Sequence, residues 1–400
     1  MNIVYKLLYL YLLLKPYYIF ASGTLQIGDI VLLLAFFLFL LATKNNKKNI
    51  KNILIENKYF VFFMILVFII NGFYFLYYLK FKFMLSSLYY LFNLFVIILF
   101  SYMFSKNEKS YKILDRILKF NIIVQLIICI LNLGDYYGGY RYMGTFNDPN
   151  QFAYYIFISF CFVYLLNLKL KNSGFETFIF FLISIYLIIR SSSTGMLFGM
   201  MIFVALYIVS LLKGVKKSSV RKAIIFCIVL IPFVLLVGIL YTNSDKRIEW
   251  DNIHIIERFS EKIGKIENSN TLINDNHMTI WQERGYDKII KYPWYILYGS
   301  GEGMYERFSS PKFVNEIHAT IPSILFYYGI IPTFLLLAWM YKKIKGSPFK
   351  INAVFFAIII ESFTLLNQRQ YLFWIMFILI ANLKIDLKNK SDMLSKENIN

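Results

Sequence analysis

The chain has 400 residues, of which 58% are hydrophobic and 20% aromatic, and its mean hydropathy is +0.58. An ordinary water-soluble globule is excluded, because its apolar fraction is nearer half even when glycine is counted. The formal charge of +19 is scattered among short connections with no soluble domain to hold it, so nucleic acid is not an expected partner. The composition predicts an integral membrane protein.

Apolar segments of about the length that crosses a bilayer, roughly 20 residues, follow one another along the chain. We predict about 12 transmembrane helices, near residues 4–21, 25–42, 59–79, 83–104, 117–133, 150–168, 175–190, 195–212, 222–241, 319–341, 351–367 and 370–384. The connections are short except the one between the ninth and tenth helices, residues 242–318. A connection longer than about 15 residues is usually functional or disordered. The prediction is an all-α polytopic membrane protein. Its parts are helices 1–9 in 1–241, a large extracytoplasmic loop in 242–318, helices 10–12 in 319–384 and a tail in 385–400.

The distribution of lysine and arginine predicts the orientation. The connections on one side, together with the tail, hold 25 of these residues, whereas the short connections on the other side hold 5. By the positive-inside rule both termini are cytoplasmic and the long loop faces outward. The polar, lysine-rich tail is expected to be disordered.

The segment that leads into the sixth helix contains the first candidate site. Asp148 as N-cap, Pro149 at the first helical position and Gln151 in a capping box predict an orderly helix start. Arg141 and Asn147 have no such structural explanation. An arginine here either extends to lipid phosphates or contacts a substrate, and the sequence leaves both open.

A second candidate is Arg190, which ends an apolar run just before the hydroxyl-rich turn 191–194. Serine and threonine in such a turn mostly cap helices. A guanidinium at membrane depth usually faces the bundle interior or a wet cavity rather than lipid. We therefore expect a functional role for Arg190.

The long loop contains two further patterns. Met278, Trp281, Ile289 and Ile290 fall near one face of a helix, with the charged residues largely elsewhere, which predicts an amphipathic helix on the membrane surface. The glycines of 299–303 predict a turn. They do not form a phosphate-binding P-loop, because the Gly-Lys-Ser/Thr ending is missing.

His318 stands at the predicted start of the tenth helix. The positive end of a helix disfavours the imidazolium ion, so the ring is expected to remain a neutral base near pH 7. The alternative is an interfacial histidine that hydrogen-bonds to water. The other two histidines, His254 and His277, lie in the same loop.

Together these segments resemble the O-antigen ligase and polymerase superfamily, and most of all its Wzy-type repeat-unit polysaccharide polymerases. The likeness runs from about residue 120 onward through Arg141–Ala153, the turn at Arg190, the loop around Trp281 and Gly299–Gly303, and His318–Pro332. It implies a GT-C-like fold in the bacterial plasma membrane. It also implies transfer of undecaprenyl-pyrophosphate-linked sugars at the outer face, without nucleotide sugar, metal or other cofactor.

In that family, arginines bind the lipid pyrophosphate, and a histidine at the start of a helix assists the acceptor hydroxyl. The resemblance therefore gives the catalytic role to His318. It assigns pyrophosphate or substrate binding to Arg141, Arg190, Arg284, Asn147, Asn150 and His277. The chemistry is consistent, because arginine suits bidentate phosphate binding, and pyrophosphate needs stabilisation of its developing charge more than a general acid.

Two positions depart from the family pattern. His277 stands where the family often has an arginine four residues before the loop tryptophan, and Ala319 follows His318 where asparagine is common. The loop cation that binds pyrophosphate is then Arg284, Arg258 or Arg307.

Three functions remain open at this point. We favour polymerisation of lipid-linked repeat units, with membrane lipids, a chain-length regulator and a flippase as partners. A ligase or oligosaccharyltransferase would use the same donor with a lipid or protein acceptor. A transporter or flippase is the alternative of another class, and Glu361, deep in a predicted span, would be its charged residue or a partner for a polar neighbour.

Overall fold

The computed structural model describes residues 1–20, 25–43, 47–212, 282, 284–308 and 316–397, and side chains are described up to residue 384. The predicted ninth helix, 222–241, lies outside the described residues. So do His254, Arg258, His277, Met278, Trp281 and most of the long loop.

The described chain is helical almost throughout. The helices are α1 Asn2–Leu14, α2 Ile27–Ala42, α3 Lys47–Glu56, α4 Lys58–Tyr78, α5 Lys82–Lys106, α6 Lys109–Ile130, α7 Pro149–Leu170, α8 Gly174–Arg190, α9 Thr194–Leu212, α10 Asp287–Lys291, α11 Tyr295–Tyr298, α12 Thr320–Tyr328, α13 Ile330–Ile344, α14 Phe349–Glu361 and α15 Tyr371–Glu397. Short 3-10 turns cover Tyr305–Phe308 and Asn367–Arg369. Strands β1 Asp135–Tyr137 and β2 Arg141–Gly144 pair as an antiparallel hairpin, an addition to the all-α prediction.

The apolar character of the helices agrees with a membrane protein. Within the described residues, four helices are long and apolar enough to cross a bilayer: Lys58–Tyr78, Lys82–Lys106, Pro149–Leu170 and Thr194–Leu211. Shorter apolar helices are Asn2–Leu14, Ile27–Ala42 and Tyr371–Lys384. A helix that is hydrophobic all round belongs in the interior, and α7 is accordingly buried from Phe152 to Leu166.

Contacts between distant connections distinguish two ends of the bundle. We call the end that carries the long-loop residues 284–319 the loop end; Asn147 donates to the Phe20 carbonyl there at 2.8 Å. At the opposite end, the far end, Trp339 Nε1 donates to Asn57 Oδ1 at 2.9 Å. The sequence predicts that the loop end is extracytoplasmic.

Several predicted boundaries are wrong. The first helix ends at Leu14 rather than near residue 21, because Pro16 has no N–H to continue it. Lys15 instead forms a buried ion pair with Asp29, at 2.5 Å. The predicted tail 385–400 is largely helical, since α15 continues to Glu397 through residues that include no proline or glycine.

The predicted tenth helix, 319–341, is divided at Gly329, where φ is +80°. The loop segment Leu297–Gly303 lies against this break. Ser300 N–H donates to the Phe326 carbonyl at 3.1 Å, and Gly301 N–H donates to the Tyr327 carbonyl at 2.9 Å. These bonds satisfy carbonyls that the helix end would otherwise leave unpaired. The glycines at 299–303 therefore form an inserted segment rather than a simple turn.

We expect Gly329→Ala to destabilise the protein. A Cβ at Gly329 would lie 2.7 Å from the Leu297 carbonyl oxygen and 2.9 Å from Gly299 N. The backbone conformation of Gly329, with φ +80° and ψ 179°, is essentially restricted to glycine and costs an alanine about 1–3 kcal/mol. Thermal unfolding in detergent should show a lower midpoint. The matched control is Gly72→Ala in α4, where a Cβ meets nothing within 4 Å; an equal fall in both variants would contradict the prediction.

Met278 and Trp281 of the predicted amphipathic helix lie outside the described residues, so the structure describes only its second half. There a turn at 284–286 precedes α10, of five residues, whose buried side chain is that of Lys288. Lys288 is 1% exposed whereas Ile290 is 74% exposed. The ammonium group, and not Ile290, therefore points into the protein.

Candidate functional site

Arg369 bridges two carboxylates of the long loop. Its Nη2 donates to Glu302 Oε1 at 2.9 Å, and its Nη1 donates to Glu316 Oε1 at 2.8 Å. A further bond from Nη2 to Glu316 Oε2 makes this pair bidentate. The Tyr305 hydroxyl also accepts from Nη2, at 3.3 Å. One guanidinium thus ties two loop segments to the turn between α14 and α15.

Glu302 is almost completely buried, with 4% exposed. Besides Arg369, the Tyr328 hydroxyl donates to its Oε2 at 2.5 Å. Its backbone N–H donates to Asn71 Oδ1 at 2.9 Å, within α4. A buried charge is tolerable only when it is paired and hydrogen-bonded. Here both carboxylate oxygens have donors, so Glu302 holds the inserted loop among the helices.

Arg307 has a different environment. Its Nη2 donates to the carbonyls of Ser300, Gly301 and Gly303. Aromatic rings surround the guanidinium at 4.7–5.2 Å: Tyr74, Tyr78, Phe83 and Phe308. Carbonyls and ring faces both attract a cation. Arg307 therefore holds the glycine segment in place, which argues against it as the loop cation for pyrophosphate.

His318 lies beside a loop arginine that the sequence also singled out. The His318 N–H donates to the Arg284 carbonyl at 3.0 Å. Burial is the main cause that lowers the pKa of His318; Glu316 opposes the shift, and Arg284, Arg369 and Lys288 add to it. The lowered pKa keeps the imidazole neutral at pH 7, the state in which it can accept a proton.

The surroundings of His318 are rich in fixed charge. Burial would raise the pKa of Glu316, but the Arg369 guanidinium outweighs it, and the pKa is lowered from its usual value. Burial lowers the pKa of Lys288, against the attraction of Asp287 and Glu316. We call the set Arg284, Lys288, Glu302, Glu316, His318 and Arg369 the histidine cluster. Its three cations face the two carboxylates of the cluster and the neighbouring Asp287, which attracts Lys288.

The turn 362–370 fixes the position of the histidine cluster. Thr320, two residues after His318, donates its N–H to the Ser362 carbonyl at 2.7 Å and its hydroxyl to the Leu365 carbonyl at 2.8 Å. The Arg284 Nη1 donates to the Thr364 carbonyl. The same turn carries Arg369, so it positions His318 and two of its cationic neighbours.

Glu361 supports this turn from within the protein. It is 0% exposed and is the last residue of α14, so it does not lie near the middle of a span. The Asn367 side-chain amide donates to its carboxylate, and the Thr364 hydroxyl donates to its backbone carbonyl at 2.8 Å. The structure therefore shows Glu361 as a partner for polar neighbours, the second of the two interpretations that the sequence left open.

A second cluster joins the β-hairpin to the turn between α8 and α9. Arg141 is 7% exposed; its Nη2 donates to Asn150 Oδ1 at 2.9 Å and its Nε to the Ser191 carbonyl at 3.3 Å. Arg190 Nη2 donates to the Tyr136 hydroxyl at 3.2 Å. Each arginine thus contacts the element that carries the other. Both donate to groups of the protein.

The remaining predicted residues have identifiable positions. The predicted N-cap is confirmed, since Asp148 Oδ1 accepts from the N–H groups of Asn150 and Gln151 at 2.8 and 2.9 Å. Gln151 Oε1 has no hydrogen-bond partner among the described residues, so the capping box is not completed. Asn147 contacts the Phe20 carbonyl rather than the arginines.

The two clusters meet along the start of α9. Ser193 Oγ donates at 3.1 Å to Asn150 Oδ1, the same oxygen that accepts from Arg141. Ser193 therefore belongs to the second cluster. Two residues later, a Cβ at Gly195 would lie 2.9 Å from Thr364 Oγ1. The Thr364 carbonyl in turn accepts from Arg284. The structure therefore brings together Arg141 with Asn150 and Arg284 with His318, on neighbouring elements of the loop end.

Sequence reasoning missed Arg369 as a site residue. Its only signal was a lone arginine in a short connection at the end of the bundle that is poor in basic residues. Lys288 was assigned to an exposed helix face, although it is buried. No protein-family model matches the chain, and no curated protein sequence matches it. The candidate site therefore rests on geometry and chemistry.

Proposed function

We propose that the protein is a glycosyltransferase that polymerises undecaprenyl-pyrophosphate-linked oligosaccharide repeat units into a surface polysaccharide. In this proposal the chain crosses the bacterial plasma membrane about 12 times, with both termini cytoplasmic and the loop end at the outer face. The donor is a lipid with a pyrophosphate headgroup. The acceptor is a hydroxyl of another lipid-linked repeat unit.

The observation that carries the proposal is the neutral His318 among Arg284, Lys288 and Arg369, with a pKa lowered chiefly by burial. A base that is neutral at pH 7 and surrounded by cations suits a reaction that takes a proton from a hydroxyl and releases an anion. Transfer of a sugar from a lipid pyrophosphate to a hydroxyl is such a reaction, because the hydroxyl loses a proton and the pyrophosphate leaves as an anion. The cations of the histidine cluster would donate charge-assisted hydrogen bonds to the pyrophosphate.

The proposed reaction needs one bond made and one broken. The acceptor hydroxyl oxygen bonds to the anomeric carbon of the donor, while the bond from that carbon to the pyrophosphate oxygen breaks with its electron pair. His318 takes the hydroxyl proton, a contribution that is typically 10²–10⁴-fold. Arg284 and Lys288 stabilise the negative charge that develops on the pyrophosphate. The proton on His318 then returns to water.

Arg141 and Asn150 are proposed to bind the glycan or the pyrophosphate beside this centre. The support for this is the close approach of Gly195, at the start of α9, to Thr364. Ser193, just before Gly195, contacts Asn150, and Thr364 contacts Arg284. Arg190 and Asn147 remain proposed contacts at the same end of the bundle. The proposed role of His277 has no structural description.

The test is elongation by the purified protein in liposomes, with undecaprenyl-pyrophosphate-linked repeat units as the only substrate. We expect a ladder of longer products, and we expect the ladder to persist in excess chelator. Product formation that requires an added lipid-core or protein acceptor would indicate a ligase instead. Movement of intact lipid-linked units across the bilayer without bond formation would indicate a flippase, and loss of elongation in chelator restored by magnesium would exclude the metal-independent reaction.

A further inference from the structure

At the far end of the bundle, α3 and α4 meet at Asn57 and form a shallow groove of about 430 Å³ on one face. Its apolar lining comes from both helices: Ile50, Leu54, Ile55, Val61 and Phe62. Ile50 and Leu54 are four residues apart and so lie on one face of α3, and the groove joins this face to Val61 and Phe62 of α4 in a single apolar stripe. Ile55 and Phe62 are each 54% exposed, so the stripe faces outward from the protein.

Two lysines accompany this apolar lining. Lys51 of α3 and Lys58 of α4 both line the groove, and both are exposed. They stand on either side of Asn57, where α3 ends and α4 begins. Lys48 adds a third exposed ammonium on α3. Lys51 and Lys58 contribute their apolar stems to the lining, which leaves their ammonium groups at the edge of the groove. An apolar groove with cations at its edge is complementary to a molecule that has a hydrocarbon chain and an anionic head.

The groove is held in shape by contacts behind it. Asn57 Nδ2 donates to the Ile53 carbonyl at 2.8 Å, and its Oδ1 accepts from Trp339 of α13 at 2.9 Å. The Lys342 ammonium, also on α13, donates to the Glu56 carbonyl at 3.4 Å. The junction between α3 and α4 is therefore fixed to another helix. A groove that is formed in advance binds a ligand without the cost of ordering it.

We propose that this groove binds one anionic phospholipid, with an acyl chain along the apolar stripe and the phosphate at Lys51 and Lys58. The position supports a membrane lipid as the occupant, because α4 is one of the helices long and apolar enough to cross a bilayer and Lys58 is its first residue. Juxtamembrane lysines attract anionic lipid by about 1 kcal/mol each. This proposal does not depend on the proposed function.

The test compares phosphatidylglycerol with phosphatidylcholine by native mass spectrometry of the full-length protein in detergent. We expect the wild type to retain phosphatidylglycerol in preference to phosphatidylcholine. The double variant K51Q/K58Q should lose about 30-fold in phosphatidylglycerol affinity, the equivalent of about 2 kcal/mol at 1.4 kcal/mol per tenfold. The matched control is K106Q/K109Q, which removes two exposed lysines of the same end outside the groove.

A second variant tests the apolar part of the site. Leu54→Trp should fill the groove and weaken the binding of both lipids while the lysines remain. Equal retention of the two lipids by the wild type would overturn the proposal, and so would equal loss in K51Q/K58Q and the control. A protein dimer that dissociates in Leu54→Trp, with lipid binding unchanged, would identify a second copy of the chain as the occupant and would also overturn it.

Discussion

His318→Ala is expected to abolish long polysaccharide and to leave a folded protein. The histidine is only partly buried, and the bond it makes to Arg284 uses its backbone N–H, which alanine retains. If the imidazole accepts the hydroxyl proton, elongation should slow by roughly 10²–10⁴-fold. The measurement is the rate of chain growth in liposomes, with thermal unfolding in detergent to show that the variant is intact.

The control and the pH dependence make this prediction specific. His254→Ala, which removes a loop histidine with no assigned role, should leave elongation unchanged. Because the pKa of His318 is lowered from 6.5, the ring is neutral above pH 6.5, and the wild-type rate should decline only below that pH. Elongation at wild-type rate by intact His318→Ala would remove His318 from the mechanism. A decline that begins above pH 6.5 would show that another group limits the rate.

Hydropathy predicted the helices that consist of one continuous apolar run. Apolar runs predicted α2, α4, α5 and α7 to α9 within a few residues, and Asp148 followed by Pro149 marked the start of α7. These features are local, since a cap and an apolar run need only neighbouring residues. For the same reason His318 was correctly placed just before a helix, which begins at Thr320.

The break at Gly329 could not be predicted in this way. The run from Ile321 to Leu337 is apolar across the break, so hydropathy is uniform. The interruption depends on Leu297–Gly303, which donates N–H groups to the carbonyls at the end of α12. These partners are more than twenty residues away in sequence. Gly329 with Pro332 three residues later is a local stop signal, but hydropathy alone does not register it.

The histidine cluster shows the same limit for charge. Arg369 is 53 residues from Glu316 and 67 residues from Glu302 along the chain. A single sequence contains no signal for such a pairing, because Arg369 lies in a different connection from the two glutamates. The positive-inside pattern identified the end of the bundle on which the arginine lies, but not its partners.

Arg369→Ala is expected to have the largest effect on stability in the histidine cluster. Removal of one partner from a buried ion pair typically costs 3–5 kcal/mol. The Arg369 side chain is 38% exposed, so solvent screening reduces the expected loss to about 2 kcal/mol. The measurement is chemical unfolding in detergent. Lys82→Ala is the matched control, because it removes an exposed pair with Glu306 and should change stability by less than about 1 kcal/mol.

A double-mutant cycle with Glu316→Gln separates the charge from other effects of the substitution. If Glu302 and Glu316 repel each other once Arg369 is absent, Glu316→Gln should recover part of the stability of Arg369→Ala while destabilising the wild type.

The pH dependence of the stability should also change sign between the wild type and Arg369→Ala. In the wild type the pKa of Glu316 is lowered, so its stabilising contribution is lost as the pH falls through that pKa, below 4.5. In Arg369→Ala two neighbouring carboxylates with no guanidinium between them should instead gain stability as the pH falls and one of them is protonated. Additive single effects, with the same pH dependence in both proteins, would show that Arg369 acts through packing rather than through charge.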